Sequence, residues 1–263
     1  MFKEVENWAH KDVITGEGLL PLEVEVFGDP LFAFWSGVHG SEDGVIGRLR
    51  AVSNRSFVDR PDIFSNTARV FRANPEAILA GTETFKNVNL NRQFPKKGKI
   101  TDLRAKQLAE VLGKFPNLKY LFSFHMDPQG LPKWPFYMYD QVPTEEDGDR
   151  KFVIGLVEKL KDRIRKATKE NPDLGGLFTG IDDPDDPKLG NYIEEGYKWQ
   201  PVGQAREDSF ETWAVHTGKV ERAFIFEIPE NLSLEGMTQL LNIVFEEFII
   251  PFLEKKLAVT QAT

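Results

Sequence analysis

Two of the four histidines in the chain follow apolar, aromatic segments of the kind found in buried strands. Residues 31–36 lead into His39-Gly-Ser-Glu42, and residues 118–124 lead into His125. Glycines surround His39 and Glu42, which indicates a loop, because glycine allows a close backbone approach and a positive φ. Imidazole and carboxylate groups are the ligands available to a divalent ion in a chain without cysteine. These residues are therefore candidate metal ligands.

A further acidic residue, Glu227, lies inside the apolar segment 223–228. An ionised carboxylate there is costly unless a cation or strong hydrogen bonds accompany it. A zinc ion held by His39, Glu42 and His125 would leave a fourth position for water, which is the pattern of a catalytic zinc site. Glu227 could then accept the proton of that water. Simpler interpretations are a buried, hydrogen-bonded His125 and a Glu227 that pairs with a buried arginine.

The composition limits the class of protein. With 263 residues, of which 41% are hydrophobic, the chain can form one large core. A net charge of −8 argues against nucleic acids and anionic membranes as partners. The sequence shows neither a basic and apolar leader nor a run of 18 apolar residues, so we expect a soluble, cytoplasmic protein that does not span a membrane.

Predicted strands and helices alternate along the chain. The strands are predicted at 22–27, 31–36, 68–73, 118–125 and 222–228, and the helices at about 43–53, 102–114, 149–169 and 233–257. This alternation predicts an α/β fold, with residues 1–263 forming a single three-layer α/β/α domain around a mixed, largely parallel sheet. Residues 126–147 and 171–213, rich in proline, glycine and other turn residues, are predicted to be loops that wall the site.

Four motifs resemble those of the M14 zinc carboxypeptidase superfamily, which includes the aspartoacylase and succinylglutamate desuccinylase branch. His39-Gly-Ser-Glu42 resembles its His-x-x-Glu metal motif, and Ser123-Phe-His125 resembles the strand that brings the third ligand. The segment Asn89-Leu-Asn91-Arg92-Gln-Phe-Pro95 resembles its Asp-Leu-Asn-Arg-x-Phe-Pro segment. Phe226-Glu227-Ile-Pro229 resembles the strand that carries the general base. The motifs occur in the family order.

The resemblance implies a carboxypeptidase-like fold and a zinc hydrolase that cleaves a peptide or amide bond next to a free carboxylate. Its substrate would be a small peptide or an N-acyl amino acid. The implied site consists of one Zn²⁺ on His39, Glu42 and His125, Glu227 as general base, and Asn91 with Arg92 as the substrate-carboxylate site. An arginine suits the last role, because its planar guanidinium pairs with a carboxylate through two hydrogen bonds.

The chain also departs from the family. The arginine that stabilises the oxyanion in the aspartoacylase branch falls at Thr84, and Arg72 or Lys86 could replace it. Only 36 residues (263 − 227) follow Glu227, so we expect no C-terminal β-rich domain of the aspartoacylase type. This favours a metallocarboxypeptidase over an N-acyl amino acid deacylase. A non-catalytic homologue that binds a metal or ligand is the third alternative, because of the missing arginine.

Two features of the family have no motif here. The flexible tyrosine of digestive carboxypeptidases could be any of Tyr137, Tyr139, Tyr192 and Tyr197. The specificity wall is expected within residues 190–216, where Asp208, Glu211 and His216 could favour a basic group on the substrate.

Overall fold

The computed structural model describes residues 10–16, 18–82, 84, 86, 88–95, 97–127, 136–177, 180–181, 192–193, 195–202 and 209–261. The strands are β1 His10–Gly16, β2 Leu19–Phe27, β3 Phe32–Ser36, β4 Thr67–Val70, β5 Tyr120–Asp127, β6 Tyr137–Val142, β7 Gly180–Ile181, β8 Tyr192–Ile193, β9 Tyr197–Pro201 and β10 Arg222–Pro229. The helices are α1 Asp43–Asp59, α2 Pro61–Phe64, α3 Pro75–Ala80, α4 Leu103–Gly113, α5 Arg150–Glu170, α6 Phe210–His216, α7 Leu234–Val244 and α8 Ile250–Gln261. Short 3₁₀ turns occupy Gly40–Glu42, Leu90–Arg92 and Pro172–Leu174.

Eight of these strands form one mixed sheet in the order β1-β2-β4-β3-β5-β10-β6-β9. The pairs β4–β3, β3–β5, β5–β10 and β6–β9 are parallel, whereas β1–β2, β2–β4 and β10–β6 are antiparallel. Helices cover both faces of the sheet. The predicted α/β class with a mixed, largely parallel central sheet is confirmed. The extent of the domain, residues 1–263, stays a prediction.

One face of the sheet carries an aromatic ladder. Neighbouring strands in register place Phe34, Phe122 and Phe224 side by side, with ring centroids 5.4 and 5.5 Å apart. One step along the strands, Phe124 stacks on Phe226 at 5.0 Å. These rings are buried under α1, α5, α7 and α8. Because side chains alternate along a strand, the residues between these phenylalanines point to the opposite face.

The opposite face is covered by α4 and α6. Trp35 at the end of β3 stacks on Phe210 of α6, with ring centroids 4.5 Å apart. Phe94 packs edge-on against the same ring at 5.0 Å. This packing fixes the first turn of α6 above the carboxyl ends of the central strands, where the candidate site lies.

The C-terminal helical segment is apolar. Residues Leu234–Val259 are long and apolar enough, by length and composition alone, to cross a membrane. In the fold, however, most of this segment is buried, and Phe245, Phe248 and Phe252 pack on the aromatic ladder. A π-helical turn at Phe245–Ile249 joins α7 to α8 just before Pro251. A proline inside an α-helix removes one hydrogen bond and clashes with the carbonyl group four residues earlier, here that of Glu247, which lies within the π-helical turn.

The predicted loops contain elements that the sequence pattern missed. Residues 137–142 form β6, an internal strand of the sheet, and residues 197–201 and 210–216 form β9 and α6. The sequence pattern did not predict β6 because it contains the polar residue Asp140, whereas a buried strand is expected to be apolar. Asp140 is buried with Arg222, whose Nε and Nη2 donate to its two carboxylate oxygens at 2.6 Å. The interpretation of 126–147 and 171–213 as continuous loops is therefore wrong in part.

Candidate metal centre

The loop that carries His39 is fixed by hydrogen bonds to the segment after β4. The backbone N–H groups of Ala73 and Asn74 donate to the carbonyl oxygens of Ser36 and Gly37 at 3.0 and 2.7 Å. The Asn74 side chain donates to the carbonyl oxygen of Val38 at 3.1 Å. Gly37 has a φ of +77°, and an added Cβ there would lie 2.8 Å from the carbonyl oxygen of Phe71. The turn therefore requires glycine.

Glu42 divides its two carboxylate oxygens between the backbone and the histidines. Its Oε2 accepts from the backbone N–H groups of Val38 at 2.8 Å and of His39 at 3.2 Å. Its Oε1 lies 3.0 Å from Nδ1 of His39 and 2.9 Å from Nδ1 of His125. Glu42 is fully buried, and the rotation of its carboxylate is fixed by these contacts. The structure thus brings His39, Glu42 and His125 together.

The second nitrogen of each imidazole has its own acceptor. Nε2 of His39 lies 3.3 Å from Oδ1 of Asn89, and Nε2 of His125 lies 2.9 Å from Oε1 of Glu211. A proton on each Nε2 makes it the donor and leaves the lone pair on Nδ1. Both histidines then present Nδ1 toward Glu42, as metal-binding histidines with an outer hydrogen-bond partner do.

The donor set fits a divalent metal ion. The three ligand atoms lie within 4.8 Å of one another. Two ligands about 2.0–2.1 Å from a tetrahedral ion are about 3.3 Å apart, close to the 2.9 and 3.0 Å observed between Glu42 and the two histidines. Two imidazoles and one carboxylate suit zinc and leave room for water as a further ligand. His39, Glu42 and His125 are therefore the group that could hold the ion.

The charges of the site favour a cation near His125. Burial lowers the pKa of His125, but the carboxylates of Glu42 and Glu211 outweigh it and hold that pKa well above its usual range. Burial raises the pKa of Glu42, yet the charges and hydrogen bonds of His125 and His39 lower it overall. Burial also raises the pKa of Glu211, but the charge and hydrogen bond of His125 and the hydrogen bond of Ser123 lower it to about 2. Both carboxylates are thus ionised.

The register of the sheet places Glu227 next to this group. Glu227 on β10 is the direct partner of His125 on β5, so both side chains project from the same face. Tyr137 on β6 is the antiparallel partner of Glu227. Glu227 is half-buried, whereas its neighbours on β10 are fully buried. Among the candidates for the flexible tyrosine of the site, Tyr197 has another partner, because its hydroxyl donates to Asp140 at 3.0 Å.

The predicted carboxylate-binding residues lie on the 3₁₀ turn Leu90–Arg92. Asn89 caps this turn by accepting from the backbone N–H of Asn91 at 3.0 Å, and the same Oδ1 contacts His39. Asn91 is buried, and its Oδ1 accepts from the backbone N–H of Phe210 at 2.9 Å. Arg92 is exposed, and its Nη1 donates to the Asn91 carbonyl oxygen at 3.3 Å. Asn89 thus connects this turn to the metal ligands.

Sequence reasoning misplaced Glu211 and overlooked the role of Asn89. Glu211 was expected in the specificity wall, but it is buried and binds Ser123 and His125. Its position inside the apolar run Phe-Glu-Thr-Trp-Ala-Val is the same signal that singled out Glu227. Asp208 lies outside the described residues, and His216 is exposed at the end of α6.

The replacement for the oxyanion arginine is still a prediction. Arg72 is exposed, and its Nη2 lies 3.6 Å from the carboxylate of Asp43, the residue after Glu42. Lys86 is exposed, with a φ of +50°. Arg72 therefore lies beside the loop that carries the metal ligands.

No protein-family model and no protein of curated function matches this chain in sequence. The fold, however, is similar to that of a protein from Shewanella denitrificans OS217 provisionally named a metallopeptidase, at 20% identity and a TM-score of 0.68 over 94% of this chain and 86% of the other. A second such protein, from Shewanella amazonensis SB2B, gives 17% identity and a TM-score of 0.67, with 94% and 91% covered. A metallo-carboxypeptidase from Burkholderia cenocepacia gives 11% identity and a TM-score of 0.58, and the match covers 94% of this chain and 66% of the other.

At these identities, the similarity establishes the fold and not the reaction. The neighbours with this fold are metallopeptidases and metallo-carboxypeptidases by name, the same group that the four sequence motifs indicated. The carboxypeptidase-like fold that the resemblance implied is therefore confirmed.

Proposed function

We propose that this protein is a zinc-dependent hydrolase of the metallocarboxypeptidase type, which cleaves a peptide or amide bond next to a free carboxylate. The observation that carries the proposal is the convergence of two Nδ1 atoms on one carboxylate oxygen. His39 and His125 lie 86 residues apart in the chain, yet both approach Oε1 of Glu42 within 3.0 Å. Both also turn Nε2 toward a separate acceptor. A pair of structural core histidines would not need this arrangement.

The metal would be held by His39, Glu42 and His125. When bound, zinc lowers the pKa of a coordinated water and polarises a substrate carbonyl. Glu227, aligned with His125 on the neighbouring strand, accepts a proton from the attacking water and returns it to the leaving nitrogen. Its half-buried position suits that role, because the carboxylate lies beside His125 while part of its surface stays open to a water molecule.

The turn that carries Asn91 and Arg92 would bind the carboxylate of the substrate. Because Oδ1 of Asn91 already accepts from Phe210, the amide Nδ2 is the end of this side chain that can serve the substrate, and it is a donor. The positively charged guanidinium of Arg92 would pair with the same carboxylate through two hydrogen bonds. Asn89 joins this turn to His39, so the recognised carboxylate and the scissile bond have a fixed separation.

Metal analysis of purified protein tests the metal part of the proposal. Elemental analysis after zinc loading should give one ion per wild-type chain and much less for His125→Ala. His216→Ala is the matched control, because His216 is exposed at the end of α6 and should leave the stoichiometry unchanged. Equal metal content in all three proteins would contradict the assignment of the ligands.

Paired substrates test the reaction. A panel of short peptides with a free C-terminal carboxylate should be hydrolysed by the zinc-loaded protein, and the same peptides with a C-terminal carboxamide should be poor substrates. Removal of the metal with a chelator should abolish activity, and zinc should restore it. Hydrolysis of N-acyl amino acids in preference to every peptide would favour the deacylase alternative. Zinc binding without any hydrolysis would favour a non-catalytic homologue.

A further inference from the structure

The buried carboxylates of the described chain divide into two groups by their partners. Three of the five pair with arginine: Glu25 with Arg69 at 2.6 Å, Glu76 with Arg104, and Asp140 with Arg222 at 2.6 Å. The other two, Glu42 and Glu211, have only histidine as a possible cationic partner within the described residues. A buried carboxylate is costly without a compensating positive charge. The positive charge that offsets Glu42 and Glu211 must therefore come from a protonated histidine or from a metal ion bound by the histidines.

His125 lies between these two carboxylates. Its Nδ1 lies 2.9 Å from Oε1 of Glu42, and its Nε2 lies 2.9 Å from Oε1 of Glu211. With neutral histidines, a divalent ion at the Nδ1 side would balance the two negative charges. The two carboxylates and the ion would then form a neutral buried group. This balance requires Glu211 as much as Glu42, although Glu211 is on the far side of the imidazole.

The position of Glu211 is fixed by contacts that do not involve the metal ligands. Phe210, the residue before it, donates its backbone N–H to Asn91 at 2.9 Å. Thr212, the residue after it, donates its hydroxyl to Oε1 of Gln141 on β6 at 3.1 Å. Ser123 donates its hydroxyl to Glu211 Oε1 itself at 2.7 Å. The carboxylate therefore cannot turn away from His125 without breaking this network.

We propose that Glu211 is a positioning residue of the metal centre: by accepting the Nε2–H of His125, it keeps the Nδ1 lone pair directed at the ion and supplies the second negative charge. This role rests on the proposed zinc site. Removal of such an outer partner typically weakens metal binding by about 10–100-fold. In the same turn of α6, the backbone N–H of Phe210 donates to Asn91, so this turn positions both the metal ligand His125 and the predicted carboxylate site.

Zinc affinity, measured by chelator competition, tests this role without relying on activity. Glu211→Gln keeps the size of the side chain but removes its charge, and we expect the Kd for zinc to rise about 10–100-fold. Glu25→Gln is the matched control: it also removes one buried negative charge, but its partner is Arg69 rather than His125, and its Kd for zinc should stay within about twofold of wild type. Thermal unfolding of both variants separates loss of affinity from loss of fold.

A measurement on the wild type covers the case in which Glu211→Gln does not fold. In ¹⁵N-labelled, zinc-loaded protein, the ring signals of His125 should show a proton on Nε2 and a metal on Nδ1. The opposite tautomer, or a zinc Kd for Glu211→Gln within twofold of wild type, would overturn the role of Glu211 and leave the proposed function standing. Failure of the wild type to bind zinc at all would overturn both.

Discussion

Gly40 offers the sharpest test of the geometry of the metal loop. It lies between His39 and Glu42, and its backbone N–H donates to the carbonyl oxygen of Thr82 at 2.9 Å. A Cβ added at Gly40 would lie 2.1 Å from the carbonyl oxygen of Ala77 and 2.1 Å from that of Thr82. Both are backbone atoms, so no side-chain rotation can relieve the clash. Gly40→Ala must therefore displace the loop that carries the ligands.

The size of that displacement follows from the distances. To bring the contact from 2.1 Å to the 3.4 Å of ordinary van der Waals contact, the loop must move by about 1.3 Å. Misplacement of a site by about 1 Å can reduce activity about 10²-fold, and metal ligands tolerate about 0.5 Å. We expect Gly40→Ala to lose at least 10²-fold in activity and to bind zinc more weakly. Overpacking should also lower the free energy of unfolding by about 1–3 kcal/mol.

Gly47→Ala is the control for Gly40→Ala. Gly47 is exposed on α1, and no atom lies within 4 Å of an added Cβ. Alanine there should raise the free energy of unfolding by about 0.5–1 kcal/mol, because glycine is unfavourable inside a helix. Chelator competition, steady-state kinetics and urea unfolding should be measured on both variants. If Gly40→Ala bound zinc and worked like wild type, the loop would be free to move, and the argument from close contacts would fail.

Three further predictions concern the base, the carboxylate site and the core. Glu227→Gln should keep the metal but lower kcat by about 10²–10⁴-fold, measured by steady-state kinetics alongside metal analysis; an unchanged kcat would assign the base to another residue. Arg92→Ala should raise KM for substrates with a free carboxylate and leave the carboxamide analogues unaffected, and equal effects on both would contradict carboxylate binding. Asp140→Asn should lower the free energy of unfolding in urea by about 3 kcal/mol, because it leaves the buried Arg222 with less negative charge; a change below about 1 kcal/mol would mean that water or Asp147 compensates.

The success of the sequence prediction differs between the parts of the fold. The strands Phe32–Ser36 and Tyr120–Asp127 were predictable to within two residues at the end that carries the site, because continuous apolar runs indicate burial wherever they fold. The strand Tyr137–Val142 was not, because Asp140 is stable in the interior only when Arg222 lies on the adjacent strand. A pattern along the chain contains no information on that neighbour, 82 residues away.

By itself, the sequence determined the kinds of group that the site contains. It provided no cysteine, two histidines after buried strands, a glycine-rich loop with Glu42, and the Asn91-Arg92 pair. Tertiary structure alone decided which atoms meet: Nδ1 of His125 with Glu42, and Nε2 of the same ring with Glu211. The physical reason is that hydrogen bonds act over about 3 Å, whereas these partners are 83 and 86 residues apart in the chain. Only the pairing of β3 with β5 and the docking of α6 bring them within that distance.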